Sequence, residues 1–148
     1  MLLNKKLSGI VGAFALILFS SYVLAHEAQE IVEGCIQKVS VDLPGITSKS
    51  QKRSFLGADG KLHDEYNYAL LLPKSTIQEK EKIFDGVCLC LEQRGYTLRG
   101  NRNKRYTNRF AKDFADKTYS VLDVMEQWPP NKDGTSGNLL ISVNVYNP

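Results

Sequence analysis

The C-terminal stretch of the chain reads LLISVNVY, residues Leu139–Tyr146. Its aliphatic residues fall at alternate positions with serine and asparagine between them, which is the period of a strand that is buried on one face. The preceding segment Tyr119–Met125 is also rich in β-branched and aromatic residues. The loop Trp128–Gly137, which separates the two segments, is too long for a tight turn. The two segments therefore predict strands of an antiparallel sheet, the last of them half buried.

Two further strands are predicted upstream, over Ser50–Leu56 and Lys61–Leu72. The turn Gly57–Gly60 joins them with residues that tolerate positive φ. Pro73 has no backbone N–H to donate and ends the second strand. This pair of segments is expected to form a hairpin.

Apolar residues at three-and-four spacing predict two amphipathic helices, Glu27–Val39 and Ile77–Arg94. Two overlapping capping boxes precede the second helix, one based on Ser75 and one on Thr76, and Gly95 follows it as a C-terminal stop. Two helices with several alternating strands predict an α+β fold, a two-layer sandwich in which both helices pack on one face of an antiparallel sheet.

The segment that follows the second helix has weaker signals. Short strands at Tyr96–Arg99 and Lys104–Thr107 would surround a turn rich in glycine and asparagine. Asn108 is expected to cap a helical turn, because Phe110 and Phe114 lie four residues apart.

Residues 1–25 have the form of a secretory signal peptide, with Lys5 and Lys6 before an apolar run and small residues at Val23 and Ala25. We expect cleavage after Ala25. The alternative is an uncleaved membrane anchor, because the apolar run approaches the roughly 20 residues of a membrane span. Either way, residues 26–148 are expected to form one exported domain, periplasmic or secreted, and cleavage would leave the domain without a membrane span.

The chain has three cysteines, and export permits a disulfide that leaves one thiol over. Cys88 and Cys90 lie two residues apart in the second predicted helix and so point to different sides. Cys35 lies on the apolar stripe of the first helix. The sequence predicts a bond between Cys35 and Cys88, with Cys90 as the alternative partner.

Positive charge is concentrated in one segment. The chain has a net charge of +3, and cleavage would leave seventeen basic against sixteen acidic residues. Arg94–Lys112 holds seven of the basic residues and no acidic one.

The aromatic residues interleaved in this basic segment are typical of a single-stranded nucleic-acid surface. Export argues against that partner and favours a protein or an anionic envelope component. The candidate binding residues are Arg99, Arg102, Lys104, Arg105, Tyr106 and Arg109, with Trp128 as a further contact. The alternative is a solvated hairpin whose charges protect a sheet edge.

Catalytic motifs are missing from the sequence, which contains two histidines. His63, with Asp64 or Glu65, is the centre of an alternative interpretation, a small hydrolase or metal-dependent enzyme. Adjacent strand residues point to opposite faces, which disfavours that centre. His26 would become N-terminal after cleavage, so it and His63 are weak candidate copper ligands. We predict no metal site and no cofactor.

The sequence therefore favours a role without catalysis. It predicts a small exported, disulfide-stabilised binding protein of the inhibitor, immunity or accessory-subunit type.

Overall fold

The computed structural model describes residues 27–41, 45–72, 76–102, 107–115, 117–126 and 138–148. The predicted leader and the predicted loop Trp128–Gly137 lie outside these ranges. Within them the chain has an α+β fold that consists of two helices and a six-stranded antiparallel sheet. No helix in the described part of the chain is both long and apolar enough to cross a membrane.

The stretch LLISVNVY is the strand that joins the two parts of the sheet. The elements in chain order are α1 (27–41), β1 (Thr47–Leu56), β2 (Leu62–Leu71), α2 (Ile77–Gln93), β3 (Thr97–Arg99), β4 (Thr107–Asp113), β5 (Tyr119–Glu126) and β6 (Leu139–Tyr146). The spatial order of the strands is β1-β2-β6-β5-β4-β3, and every neighbouring pair is antiparallel. Strand β6 pairs with β2 of the N-terminal hairpin and with β5 of the β3–β6 meander. The two ends of the sheet are β1 and β3.

One face of the sheet is apolar. Residues that pair across strands share a face, and one such row runs through Tyr66, Val143, Leu122, Phe110 and Leu98. The first four of these side chains are at most 4% exposed and belong to the hydrophobic core, against which Leu98 packs. We call this side of the sheet the inner face and the opposite side the outer face. Strand residues of the described core all come from the inner face.

Both helices contribute to the same core. Their buried apolar residues are Ala28, Val32, Cys35 and Ile36 of α1 and Ile83, Phe84, Val87, Cys88, Cys90 and Leu91 of α2. A disulfide bond joins the helices through Cys35 and Cys90, with a Cα–Cα distance of 5.6 Å. The presence of a disulfide is confirmed, but the preferred partner Cys88 is wrong and the alternative is found. Cys88 keeps its thiol because its Sγ points toward β4, where it lies 3.7 Å from Nδ2 of Asn108.

The predicted ends of α2 are confirmed. The capping box based on Thr76 forms: its Oγ1 accepts from the backbone N–H of Glu79 at 3.2 Å, and the Glu79 carboxylate accepts from the N–H of Thr76 at 2.7 Å. Ser75, on which the other box was predicted, lies outside the described residues. At the other end Gly95 has φ +87, its N–H donates to the carbonyl of Glu92 at 3.0 Å, and the N–H of Tyr96 donates to the carbonyl of Leu91 at 3.0 Å. These bonds form a Schellman motif, which turns the chain from α2 into β3.

The helical turn predicted around Asn108 is wrong, because this segment is strand β4. Asn108 and Phe110 alternate with exposed residues and pair with β5, where Phe110 lies opposite Leu122. The four-residue spacing of Phe110 and Phe114 fits a strand as well as a helix, since an even spacing also keeps two strand residues on one side. Of the strand predicted over Lys104–Thr107, only its last residue is described, and it begins β4.

Candidate binding face

A polar row crosses the whole outer face. It takes one residue from each strand, in the order Gln51, Asn67, Ser142, Asp123, Arg109 and Arg99. With strands about 4.8 Å apart, the row is about 24 Å long. Amide, hydroxyl and charged groups therefore face outward along a line as long as a short extended peptide.

The arginine end of this row is only partly neutralised. Arg109 donates two hydrogen bonds to Asp123, from Nε to Oδ1 and from Nη2 to Oδ2, each 2.8 Å. Such bidentate pairs fix the guanidinium and carboxylate planes together, and the hydrogen bonds that Arg109 donates to Asp123 raise the pKa of Arg109. Arg99 lies directly opposite Arg109 in the β3–β4 register and forms no ion pair with a described residue. Arg99 therefore has the less satisfied charge of the two.

A second charge pair connects β1 with β2 and, through a further hydrogen bond, with β6. The Arg53 guanidinium contacts the Glu65 carboxylate, which is only 11% exposed, and its hydrogen bond lowers the pKa of Glu65. Ser142 of β6 donates to the other oxygen of Glu65 at 3.4 Å. Glu65 thus connects three strands, and its negative charge is balanced by Arg53.

Aromatic rings occupy one end of the outer face. Phe55, His63, Tyr146 and Tyr119 come from four adjacent strands, and successive ring centroids are 5.5, 5.1 and 6.0 Å apart. Cross-strand aromatic contacts of this kind stabilise the strand pairing itself. The aromatic row therefore stabilises the pairing of β1, β2, β6 and β5 at this end of the sheet.

His63 is held in place by contacts within the protein. It is 2% exposed, its Nδ1 accepts from the backbone N–H of Asn147 at 3.2 Å, and its Nε2 lies 2.9 Å from Oδ1 of Asp59. Because Nδ1 accepts, Nε2 carries the hydrogen that Asp59 accepts. Asp64 points to the other side of the strand, where it pairs with Lys52 at 3.5 Å. Both ring nitrogens are thus engaged. Asp64 faces away from the ring, and Glu65, which shares the outer face with His63, pairs with Arg53. These contacts disfavour the enzyme interpretation.

A groove of about 570 Å³ opens near the middle of the outer face, beside β1. Its apolar lining includes Ala69, Met125 and Leu140, whereas Gln51 and Asn67 supply amides. Sequence reasoning missed this groove. The available signal was Leu140, a large apolar residue at an outward position between the core residues Leu139 and Ile141, but its neighbours across the sheet depend on strand order.

The structure separates the residues of the predicted basic site. Arg99 and Arg109 lie side by side on the outer face, whereas Arg102 pairs with Glu92 of α2 at 2.7 Å. Lys112 lies over the ring of Phe114 and donates to the backbone carbonyl of Arg94. The remaining predicted residues, Lys104, Arg105, Tyr106 and Trp128, lie outside the described residues.

The predicted copper ligands are not brought together within the described ranges. His26 lies outside them, and the nitrogens of His63 are engaged as above. Among the residues that are described, no group of three His, Cys, Asp or Glu side chains could hold a metal ion.

No protein-family model and no curated protein sequence matches the chain significantly.

Proposed function

We propose that the protein is a small exported, disulfide-stabilised binding domain whose outer sheet face binds a protein partner. It would act as an inhibitor, immunity protein or accessory subunit in the periplasm or outside the cell. The leader predicted at residues 1–25 and the Cys35–Cys90 bond support an oxidising compartment.

The groove on the outer face is the observation that carries this proposal. Protein interfaces combine apolar centres with hydrogen-bonding groups around them. Here Met125 and Leu140 supply apolar surface in the same groove as the amides of Gln51 and Asn67. A side chain of a partner that entered the groove would exchange water for apolar contacts and retain hydrogen-bonding groups beside it.

The charge balance of the outer face favours a protein over a polyanion. Two of its cations, Arg53 and Arg109, already pair with Glu65 and Asp123. A surface that recruits a polyanion by its field needs uncompensated positive charge. The balanced pairs instead suit a partner that is itself of mixed charge.

A two-layer arrangement with both helices on the inner face would leave the outer face available. Two polar contacts support it: the Tyr68 hydroxyl donates to Glu33 of α1 at 3.3 Å, and Lys80 of α2 pairs with Glu126 of β5. Tyr68 and Glu126 both belong to the inner face.

An anionic envelope component remains the second candidate, because Arg99 lies beside Arg109 without an ion pair to a described residue. Changing Arg99, Arg102, Lys104, Arg105 and Arg109 together to Ser tests it. If the variant is retained less than wild type on envelope extract, and the difference is larger at low salt, the anionic component is supported. Equal retention of variant and wild type would reject it.

Affinity capture from the native envelope tests the protein-binding proposal. Tagged wild-type protein is compared with Leu140→Glu in the groove and with the matched control Leu89→Glu on α2, where Leu89 is 48% exposed. We expect one partner to be enriched by wild type and control, and capture to fall at least about tenfold for Leu140→Glu. Thermal unfolding of the variant verifies its fold. Equal capture by all three proteins would reject the outer face as the binding surface.

A further inference from the structure

Strand β1 is a long edge strand, and among the described residues it pairs with β2 only. All ten of its residues pair with β2 in an unbroken register from Thr47↔Leu71 to Leu56↔Leu62. On the side away from β2, its backbone makes no hydrogen bond with a described residue. Nine of its ten side chains are exposed. A row of unpaired N–H and C=O groups of this length is a template for another strand.

The features that usually protect such an edge are missing from β1. Natural edge strands are kept short, carry proline, or are interrupted by bulges. The opposite edge strand, β3, has only three residues, whereas β1 has neither proline nor a break in register. Its one protective feature is charge, because it carries Lys49, Lys52 and Arg53 and no acidic residue. Two of these cations already have carboxylates on β2, since Lys52 pairs with Asp64 and Arg53 with Glu65.

That charge selects between possible partners for the edge. A second copy of β1 that paired about a twofold axis would bring both sets of cations into one ladder without a carboxylate. Directly opposed like charges destabilise a strand pair, and opposite charges stabilise it. The edge therefore disfavours self-association but accepts an acidic strand.

The faces of β1 define what the added strand would carry. Lys49 and Arg53 point to the outer face, whereas Lys52 and Leu56 point to the inner side. Leu56 pairs with Leu62, and both are exposed, at 70% and 66%, so they form an apolar pair at the end of the strand. An antiparallel segment would thus meet Leu56 first, then Arg53 and Lys52, and Lys49 last.

We propose that β1 binds an extended acidic segment of a partner protein, which adds to the sheet as a seventh, antiparallel strand. The segment would have an apolar residue opposite Leu56, acidic residues three and four positions later, and another acidic residue seven positions later. Its backbone would supply the affinity and its carboxylates the selectivity. The inference rests on the proposed protein-binding function and specifies the chemistry of the partner.

The test uses the purified protein and a blocked synthetic peptide, Leu-Thr-Val-Glu-Glu-Thr-Val-Glu, with a scrambled peptide of the same composition. Binding is followed by fluorescence anisotropy and by amide chemical shifts. We expect saturable binding with shifts centred on β1 and roughly tenfold weaker binding for Lys49→Glu. The matched control is Lys82→Glu, at an exposed lysine of α2 away from the outer face and from β1, which should bind as wild type does.

Backbone pairing is tested separately with two N-methylated forms of the peptide, one at odd and one at even positions. An edge-pairing strand offers the N–H groups of alternate residues to its neighbour, so one form should lose binding and the other should retain it. Equal binding of both forms, or no saturable binding at millimolar peptide, would overturn the added strand. If the peptide tests fail but affinity capture of a partner still depends on Leu140, the added strand is rejected and the outer binding face is retained. Failure of this inference can therefore be told apart from failure of the proposed function.

Discussion

Close packing around His63 depends on a glycine. A Cβ atom added at Gly57 would lie 2.5 Å from the His63 ring, whereas one added at Gly34 of α1 would meet nothing within 4 Å. We predict that Gly57→Ala destabilises the protein by about 1–3 kcal/mol, because the ring must move. Gly34→Ala should instead stabilise it by about 0.5–1 kcal/mol. Urea unfolding measures both, and equal effects would contradict the packing described for His63.

The free thiol of Cys88 should be inert. The side chain is 0% exposed, and burial raises the pKa of this thiol to about 11. Since only the thiolate reacts readily, we predict slow alkylation by iodoacetamide in the native protein at mildly alkaline pH and fast alkylation after denaturation. Mass spectrometry of the modified peptide follows the reaction. A native rate equal to the denatured rate would show that the thiol is accessible.

Residue-level predictions from sequence succeeded where one local rule decides. Gly95 was identifiable as a helix stop, and Thr76 as one of two candidate caps with Ser75, because caps depend on neighbours a few positions away. The partner of Cys35 was not, because Cys88 and Cys90 lie on the same helix and only the packing of α1 against α2 decides which sulfur faces it. The groove around Leu140 was missed because its other lining residues come from neighbouring strands, and no local pattern predicts the strand order.

The bond between α1 and α2 should be the strongest single link between elements. Cys35 and Cys90 are 55 residues apart in sequence, and closing a loop of that size stabilises the protein by about 4 kcal/mol on the loop-entropy account. We predict a loss of that order for the double variant Cys35→Ala, Cys90→Ala in chemical denaturation. The control Cys88→Ala, which keeps the bond, should lose about 1 kcal/mol. A smaller loss in the double variant than in the control would contradict the pairing.

The link between β1, β2 and β6 should depend on pH. Arg53 lowers the pKa of Glu65 below its ordinary 4.5, so the stabilisation is fully present above that pH and is lost as the pH falls through the lowered pKa. We predict that in Glu65→Gln the free energy of unfolding falls less steeply as the pH is lowered through the acid range. Urea unfolding at a series of pH values measures this. Arg53→Gln should make the fall less steep too, and the double variant should add little more. Unchanged acid sensitivity in Glu65→Gln would contradict this link.

Elements were predictable where periodicity was unambiguous. The alternation of Leu139–Tyr146 and the stripe of Ile77–Gln93 each fit one period over a long segment. Strand β4 was misassigned around Phe110, since its short pattern fits two periods and pairing with β5 decides between them.

At the scale of the whole molecule, alternation along each strand predicted a sheet with one apolar face, but the rows across it depend on strand order. The position of β6 between β2 and β5 brings Asn67, Ser142 and Asp123 into one line. These residues come from distant parts of the chain, and no local pattern relates them. The same order leaves β1 at an edge, where its lysines and arginine face the position of the proposed acidic strand.

Site-specific photo-crosslinking in the living cell tests the binding face most directly. Benzoylphenylalanine is placed at Leu140 or Asn67 on the outer face and, as matched controls, at Leu89 or Ile77, which are exposed on α2. The outer-face account predicts one discrete crosslinked protein from both outer-face positions and none from the α2 positions. Crosslinks from α2 alone, or none from the outer face, would contradict it.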